Sequence, residues 1–141
     1  MPNPTGFIIA VDFGLTYIGL AVGQTVTNSA TGIATLRAKS GKPNWKELAD
    51  IVAEFSPSLL LVGLPLNMDG TESEMSKKAE IFARKLEQKT KTPTSLVDER
   101  LSSKEAIEIA NRGRKKAHHD GSVHEISACL IAQTWLNENK Y

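Results

Sequence analysis

The chain has few of the features that would brace a fold covalently or carry it into a membrane. Its 141 residues include one cysteine, Cys129, which excludes an intramolecular disulfide framework and a cysteine-based zinc cluster. The longest apolar run, near residues 59–66, is too short to span a bilayer. Lysine and arginine number 17 against 16 acids, so the net charge of +1 indicates no partner. Because the first residues are polar and uncharged, we expect no signal peptide, no membrane association and a soluble cytoplasmic protein.

The composition is typical of one globular domain, with 40% hydrophobic and 23% charged residues, and we predict a single domain over residues 1–141. Short apolar or β-branched runs predict five strands, at residues 7–11, 17–22, 31–36, 59–63 and 94–97. Apolar spacing and capping boxes predict four helices: one from Trp45 to Phe55, one opened by Thr71 and Glu74, one running from Ser102 and Glu105 to near Gly113, and one opened by Ser122 and Glu125. The first two strands are expected to form a hairpin, and strands joined by helices are normally parallel. The sequence therefore predicts an α/β fold with a mixed five-stranded sheet flanked by helices.

Acidic side chains stand where two of the predicted strands end. Asp12-Phe13-Gly14 follows the first strand, and Asp98-Glu99-Arg100 follows the last. Strand ends on one edge of a sheet would bring Asp12 close to Asp98 or Glu99. Carboxylates held together repel unless a proton or cation is shared between them, and Mg²⁺ or Mn²⁺ with oxygen ligands suits such a pair. The simpler alternatives are a hairpin turn at Asp12 and a salt-bridged surface turn at Asp98.

A second feature is a run of positive charge before the last predicted helix. Four fixed cations fall within residues 112–119 without one acid: Arg112, Arg114, Lys115 and Lys116. Such a loop suits a phosphate backbone, although a solvated charge run is the commoner fate of basic clusters. His124 lies in the first turn of the helix that follows. Neutral imidazole ligates metals, yet a lone histidine there is more often a partly exposed helix residue.

Taken together, these motifs resemble the YqgF family, bacterial proteins also described as Holliday-junction-resolvase-like or as nucleases of the 16S ribosomal RNA precursor. The resemblance runs in order along nearly the whole chain, through four segments: Asp12 to Ala21, Val62 to Gly70, Asp98 to Ser102, and Val123 to Leu136. It implies an RNase H-like fold and metal-dependent hydrolysis of a phosphodiester in 5′-end processing of pre-16S rRNA. It also implies a nucleic-acid partner, structured RNA or branched DNA, and a monomer or homodimer.

The same resemblance implies roles for individual residues. Asp12 matches the first-strand acid that would bridge metal ions, and Glu99, with Asp98 as its rival, matches the second acid. Where the family has an arginine this chain has Tyr17, a surface on which a base could stack. Where the family's last helix carries an acid it has His124, which could bind metal or move a proton. Arg100 and the basic loop would contact nucleic acid.

The histidine leaves the expected site one negative charge short. Glu125 should not replace the missing acid, because it points about a hundred degrees round the helix from His124. Asp120 is a further candidate for the missing acid, if the last helix begins earlier than predicted. The leading hypothesis is therefore a metal-dependent endonuclease with Asp12, Glu99 and His124 at the metal. The alternatives are a non-catalytic RNA-binding assembly or transcription factor and a DNA junction resolvase. The Asp12-Phe13-Gly14 motif is also similar to the phosphate loop of actin-like ATPases. Those enzymes need two such lobes around a nucleotide, whereas 141 residues provide only one.

Overall fold

The computed structural model describes residues 6–101 and 122–139, together with Glu108, and arranges them as a six-stranded sheet with helices on both faces. The strands are β1 (Phe7–Asp12), β2 (Tyr17–Gln24), β3 (Ser29–Lys39), β4 (Lys42–Pro43), β5 (Leu59–Leu64) and β6 (Thr94–Asp98). The helices are α1 (Trp45–Phe55), α2 (Glu74–Thr90) and α3 (Ser122–Glu138), with a one-turn 3-10 helix at Glu99–Leu101.

The order of strands across the sheet is β4-β3-β2-β1-β5-β6. The first three strands pair antiparallel, whereas β1, β5 and β6 run parallel to one another. The predicted mixed α/β architecture is therefore confirmed. Because β1, β5 and β6 are parallel, their carboxyl ends meet at one edge, where ligands bind in open α/β sheets.

The predicted strand count is wrong by one, because residues 40–43 do more than end the third strand. Ser40 and Gly41 both have positive φ, 52° and 81°, as a two-residue hairpin turn of the primed type requires. The turn folds Lys42 and Pro43 back onto the end of β3 as the short edge strand β4. Proline is tolerated there because an outer strand need not donate a hydrogen bond.

The start of α2 differs from the predicted capping box of Thr71 and Glu74. Ser73 is the N-cap: its hydroxyl accepts from the Ser76 backbone N–H at 3.0 Å, and the Ser76 hydroxyl accepts from the Ser73 N–H at 2.8 Å. Thr71 instead donates its hydroxyl to Asp69 at 2.6 Å, within the loop before the helix. The loop's own hydrogen bonds therefore displace the helix start by two residues.

Two cores lie on opposite faces of the sheet. The face that α1 and α2 cover is built of large side chains, among them Leu48, Phe82 and Leu86. On the other face α3 packs closely through the small residues Ala128 and Ala132. Val123, in the first turn of α3, is 63% exposed.

The predicted helix between Ser102 and Gly113 lies outside the described residues, apart from Glu108. The single-domain assignment of residues 1–141 stays a prediction. In the part of the chain that the structure describes, we find no helix with the length and apolarity to cross a bilayer.

Candidate active site

Asp12 ends β1 near the middle of the sheet, at the edge where the parallel strands end. It shares a face with Ile8 and Ala10, the face that α3 covers, because side chains alternate along a strand. Its pairing partner on β2 is Gly19, a glycine over which the backbone of His124 lies. Burial raises the pKa of Asp12 from 3.8 to about 6, so part of its population holds a proton near neutrality.

Glu99 reaches the same face from the 3-10 turn after β6. Its carboxylate lies over Gly63 of β5, the strand between β1 and β6: a Cβ built on Gly63 would come within 2.7 Å of Glu99 Oε2. Burial, and then the negative charge of Asp12 and of Asp98, raise the Glu99 pKa to about 7. Asp12 and Glu99 therefore form one electrostatically interacting pair of carboxylates.

Asp98, the rival of Glu99, is held by Arg100. The guanidinium donates from Nη2 to Asp98 Oδ2 at 2.8 Å and from Nε to Oδ1 at 3.2 Å, and the Arg100 backbone N–H donates to Oδ1 at 2.9 Å. These bonds keep the Asp98 pKa below its usual value. Arg100 also donates to the Met68 carbonyl at 3.4 Å and so ties the loop after β5 to the end of β6.

His124 lies at the start of α3, beside β2. A Cβ on Gly19 would lie 2.1 Å from the His124 carbonyl oxygen, so only glycine allows the helix to approach there. The imidazole packs on the ring of Tyr17, with ring centroids 5.0 Å apart. Arg37 of β3 pairs with Tyr17 of β2, and its guanidinium carbon lies 5.8 Å from the Tyr17 ring centroid. His124, Tyr17 and Arg37 thus form a row of rings and positive charge next to the acidic pair.

Glu125 faces away from the acidic pair, as its position on the helix predicts. Its Oε2 accepts a hydrogen bond from the Thr35 hydroxyl at 3.1 Å, and its side chain covers Gly32 of β3. It therefore holds α3 against β3. The basic residues Arg112, Arg114, Lys115 and Lys116, and the further candidate Asp120, lie outside the described residues.

Three residues at this site were missed from the sequence. Gly19 and Gly63 lie within strands, where glycine packs poorly and often marks a close approach, so that signal was present. Arg37 carries no local signal, because only the pairing of β3 with β2 sets it opposite Tyr17. Gly14, which follows the first strand, makes a tight turn: a Cβ there would meet the Tyr17 carbonyl oxygen at 2.4 Å.

Comparison with known proteins decides the family. The model of the RuvX family, described as Holliday junction resolvase, matches residues 6–138, which include every residue discussed above. The chain belongs to the RuvX family. This confirms the resemblance drawn from the sequence motifs, since RuvX and YqgF denote the same family.

Curated RuvX relatives are similar over nearly their whole length. A protein of Glaesserella parasuis named "Putative pre-16S rRNA nuclease" is 46% identical over 93% of this chain and 96% of its own. A protein of Pseudomonas putida with the same name is 42% identical over 94% and 95%.

Two solved structures share the fold of this RuvX chain. Thermus thermophilus RuvC in complex with a Holliday junction substrate has a TM-score of 0.62 at 16% identity, over 91% of this chain and 90% of its own. The fowlpox virus Holliday junction resolvase has a TM-score of 0.57 at 11% identity, over 94% and 99%. The RNase H-like fold is therefore confirmed.

The donor set at the RuvX site fits a divalent cation in part. Asp12 and Glu99 are half-buried carboxylates whose ionisation burial disfavours, and the Asp12 charge adds to that cost at Glu99; a shared cation relieves it. Within residues 6–101 and 122–139, however, no three side chains of histidine, cysteine, aspartate or glutamate stand close enough to hold a metal together. His124 as a third ligand stays a prediction.

Proposed function

We propose that this protein is a divalent-metal-dependent endonuclease that hydrolyses a phosphodiester bond during 5′-end processing of pre-16S rRNA. The observation that carries the proposal is the Asp12–Glu99 pair, half-buried at the carboxyl edge of the parallel strands in a RuvX chain. The relatives named for pre-16S rRNA favour that RNA as the substrate.

Asp12 and Glu99 are the residues that would hold the cation, with His124 as a proposed further ligand or proton carrier. A divalent ion in such a site supplies Lewis-acid stabilisation and a nucleophilic water at neutral pH. Both carboxylates must lose their protons before they bind a cation. With pKa values of about 6 and about 7, they do so between pH 6 and 8, and cleavage is expected to rise over that interval.

The other residues of the site bind and position the nucleic acid. Arg37 and Tyr17 present a cation and a ring beside the acidic pair, suited to a phosphate and a stacked base. Arg100 forms an ion pair with Asp98, which leaves Asp12 and Glu99 as the proposed metal-binding acids. The loop with Arg112 to Lys116 would add further phosphate contacts. A cytoplasmic monomer or homodimer is part of the proposal.

The deciding experiment incubates purified protein with a 16S precursor fragment in Mg²⁺, in Mn²⁺ and in chelator. We expect metal-dependent cuts near the mature 5′ end, and we expect D12N to lose them while it still binds the RNA. D50N is the matched control, because Asp50 is an exposed aspartate paired only with Lys46 among the described residues. Equal cleavage by D12N and wild type would refute the role of Asp12.

A four-way DNA junction belongs in the same assay, because the family description is Holliday junction resolvase. Cleavage of the junction but not of the RNA would replace the proposed substrate. Salt-sensitive RNA binding with no cut of either substrate would instead support the non-catalytic factor. In that case H124D, which restores an acid at the position, distinguishes a weakened enzyme, which it would reactivate, from a pure binding protein.

A further inference from the structure

A groove of about 510 Å³ opens on the other face of the sheet edge, one residue beyond Asp12. The turn after β1 contributes Phe13, Leu15 and Thr16, and the face of α2 opposite contributes Ile81 and Phe82. Its floor is aromatic: Phe82 lies 4.8 Å from Phe13 and 5.4 Å from Trp45, measured between ring centroids. Ile81 is 63% exposed, so apolar surface remains open to a ligand.

The rim of this groove is positively charged. Lys42, Lys78 and Lys85 line it, all three are exposed, and no aspartate or glutamate is among the described residues that line it. Lys85 lies 5.8 Å from the Trp45 ring centroid. The ion pairs of the described residues involve none of these lysines. Apolar contact flanked by uncompensated ammonium groups is complementary to an aromatic anion.

We propose that this groove binds the single-stranded flank of the RNA substrate, with bases against the aromatic floor and phosphates on the lysines. The inference rests on the proposed function and adds where the strand goes after the scissile bond. The groove begins at Phe13, next in sequence to Asp12, so a strand crossing the turn at residues 13–16 passes from the acidic pair into it. Lys78 and Lys85 are seven residues apart on α2, about 10.5 Å of helix, so they contact different phosphates.

The test measures binding in chelator, so that cleavage does not interfere. The probes are a fluorescein-labelled RNA hairpin with a single-stranded flank of about ten nucleotides and the same hairpin without it. The variants are K78A/K85A and the matched control K77A/K89A, which removes two exposed lysines of the same helix that do not line the groove. Thermal unfolding of both variants checks that the fold is kept.

We expect K78A/K85A to weaken binding of the flanked hairpin about fivefold or more and to flatten its salt dependence by about 1.4 in the log–log slope, as for two single-strand phosphate contacts. Binding of the trimmed hairpin should not change, and K77A/K89A should behave as wild type. Equal losses in both variants, or no loss in either, would overturn the proposal, since the groove lysines would then act only through net charge or not at all.

A direct readout is the indole N–H resonance of Trp45 in the full chain, with Trp135 as internal reference. Addition of a single-stranded ribonucleotide pentamer should shift Trp45 alone. A shift with a polyglutamate peptide but not with the pentamer would overturn the RNA assignment in favour of an acidic protein partner. Metal-dependent cleavage by the wild type is scored separately. A protein that binds the flank in the groove but cuts no substrate would refute the proposed nuclease activity and not the groove proposal. A protein that cuts RNA but does not bind the flank in the groove would refute the groove proposal alone.

Discussion

At the scale of single residues, Asp98 and Glu99 show how two adjacent carboxyls acquire opposite properties. Asp98 receives three hydrogen bonds from Arg100, and its pKa falls. Glu99 is turned onto the sheet beside Asp12, and burial raises its pKa to about 7. Environments that give neighbouring carboxyls different pKa values are typical of sites where one group is structural and the other reacts or binds a ligand.

Asp12 destabilises the folded protein when it is ionised. Its pKa of about 6 lies above the value near 3.8 expected when unfolded, so the folded state binds the proton more tightly. The free energy of unfolding therefore falls as the pH rises from about 4 through about 6. We expect D12N to be more stable than wild type by about 3 kcal/mol at pH 8 and by only about 0.5 kcal/mol at pH 4, in urea titrations. D50N should match wild type at both, and a D12N protein less stable at pH 8 would contradict the burial argument.

Gly63 keeps the space that the Glu99 carboxylate occupies. In G63A the new Cβ would meet only the ends of two flexible side chains, Glu99 and Ile131, so the fold should adapt. We expect the free energy of unfolding to change by about 1 kcal/mol, whereas displacement of Glu99 should lower cleavage at least tenfold, or about 1.4 kcal/mol in the barrier. G6A is the control, because a Cβ on Gly6 meets no atom within 4 Å. Unchanged cleavage by G63A would mean that the position of Glu99 is unimportant.

Part of the site was predictable from the sequence. Acids at the ends of predicted strands must approach one another once those strands lie parallel, and Asp12 and Glu99 do so. Which of Glu99 and Asp98 lies beside Asp12 was not predictable, because it depends on which of them Arg100 binds. The contact between the His124 and Tyr17 rings was not predictable either. It depends on how closely α3 approaches Gly19, and no local sequence pattern encodes that distance.

At the scale of elements, periodicity located the helices and strands well where burial is one-sided. The helix Trp45–Phe55 has the predicted bounds, because its apolar stripe and cap residues agree. The strand β4 was not predicted, because two residues are too few to show an alternation of apolar and polar side chains. Only the turn at Ser40 and Gly41 indicates it. The cap of α2 was misplaced because Thr71 and Ser73 both fit a capping pattern locally, and only the loop's contacts decide between them.

The two candidate caps of α2 can be compared directly. Ser73 caps the helix and also donates its hydroxyl to the Pro65 carbonyl at 2.6 Å, which fixes the loop after β5. We expect S73A to lower the free energy of unfolding by about 1–2 kcal/mol in chemical denaturation. T71A, whose exposed hydroxyl bonds only within the loop, should cost about 0.5 kcal/mol or less. The reverse order would restore the capping box predicted from the sequence.

At the scale of the whole molecule, the sheet separates two cores: a thick core of large side chains under α1 and α2, and a thin core under α3, where small residues let the helix come close. The acidic pair lies on the thin side, where a helix rich in small residues comes close to the strands. The groove lies on the thick side, where aromatic rings reach the surface. A nucleic acid that used both would wrap the edge of the sheet, so the fold offers one polyanion two chemically different surfaces.

Cation binding to the acidic pair should be visible in the stability of the entire domain. A ligand that binds only the folded state raises the unfolding temperature by mass action. We expect Mn²⁺ to raise the unfolding temperature of wild type at pH 8, to have little effect at pH 5, where both carboxyls hold protons, and to have little effect on D12N at either pH. Scanning calorimetry with matched ionic strength measures this without RNA. An equal rise in D12N would assign the effect to other acids.

The single thiol has a practical consequence. Cys129 is buried between α3 and β2, and burial, followed by the nearby Glu125 charge, raises its pKa to about 11. At pH 8 only about a thousandth of it is thiolate, the form that reacts. We therefore expect the native chain to react very slowly with maleimides. A cysteine introduced at an exposed position can carry a fluorophore or spin label by itself, and the distance from α2 to a labelled RNA end becomes measurable without first removing the natural residue.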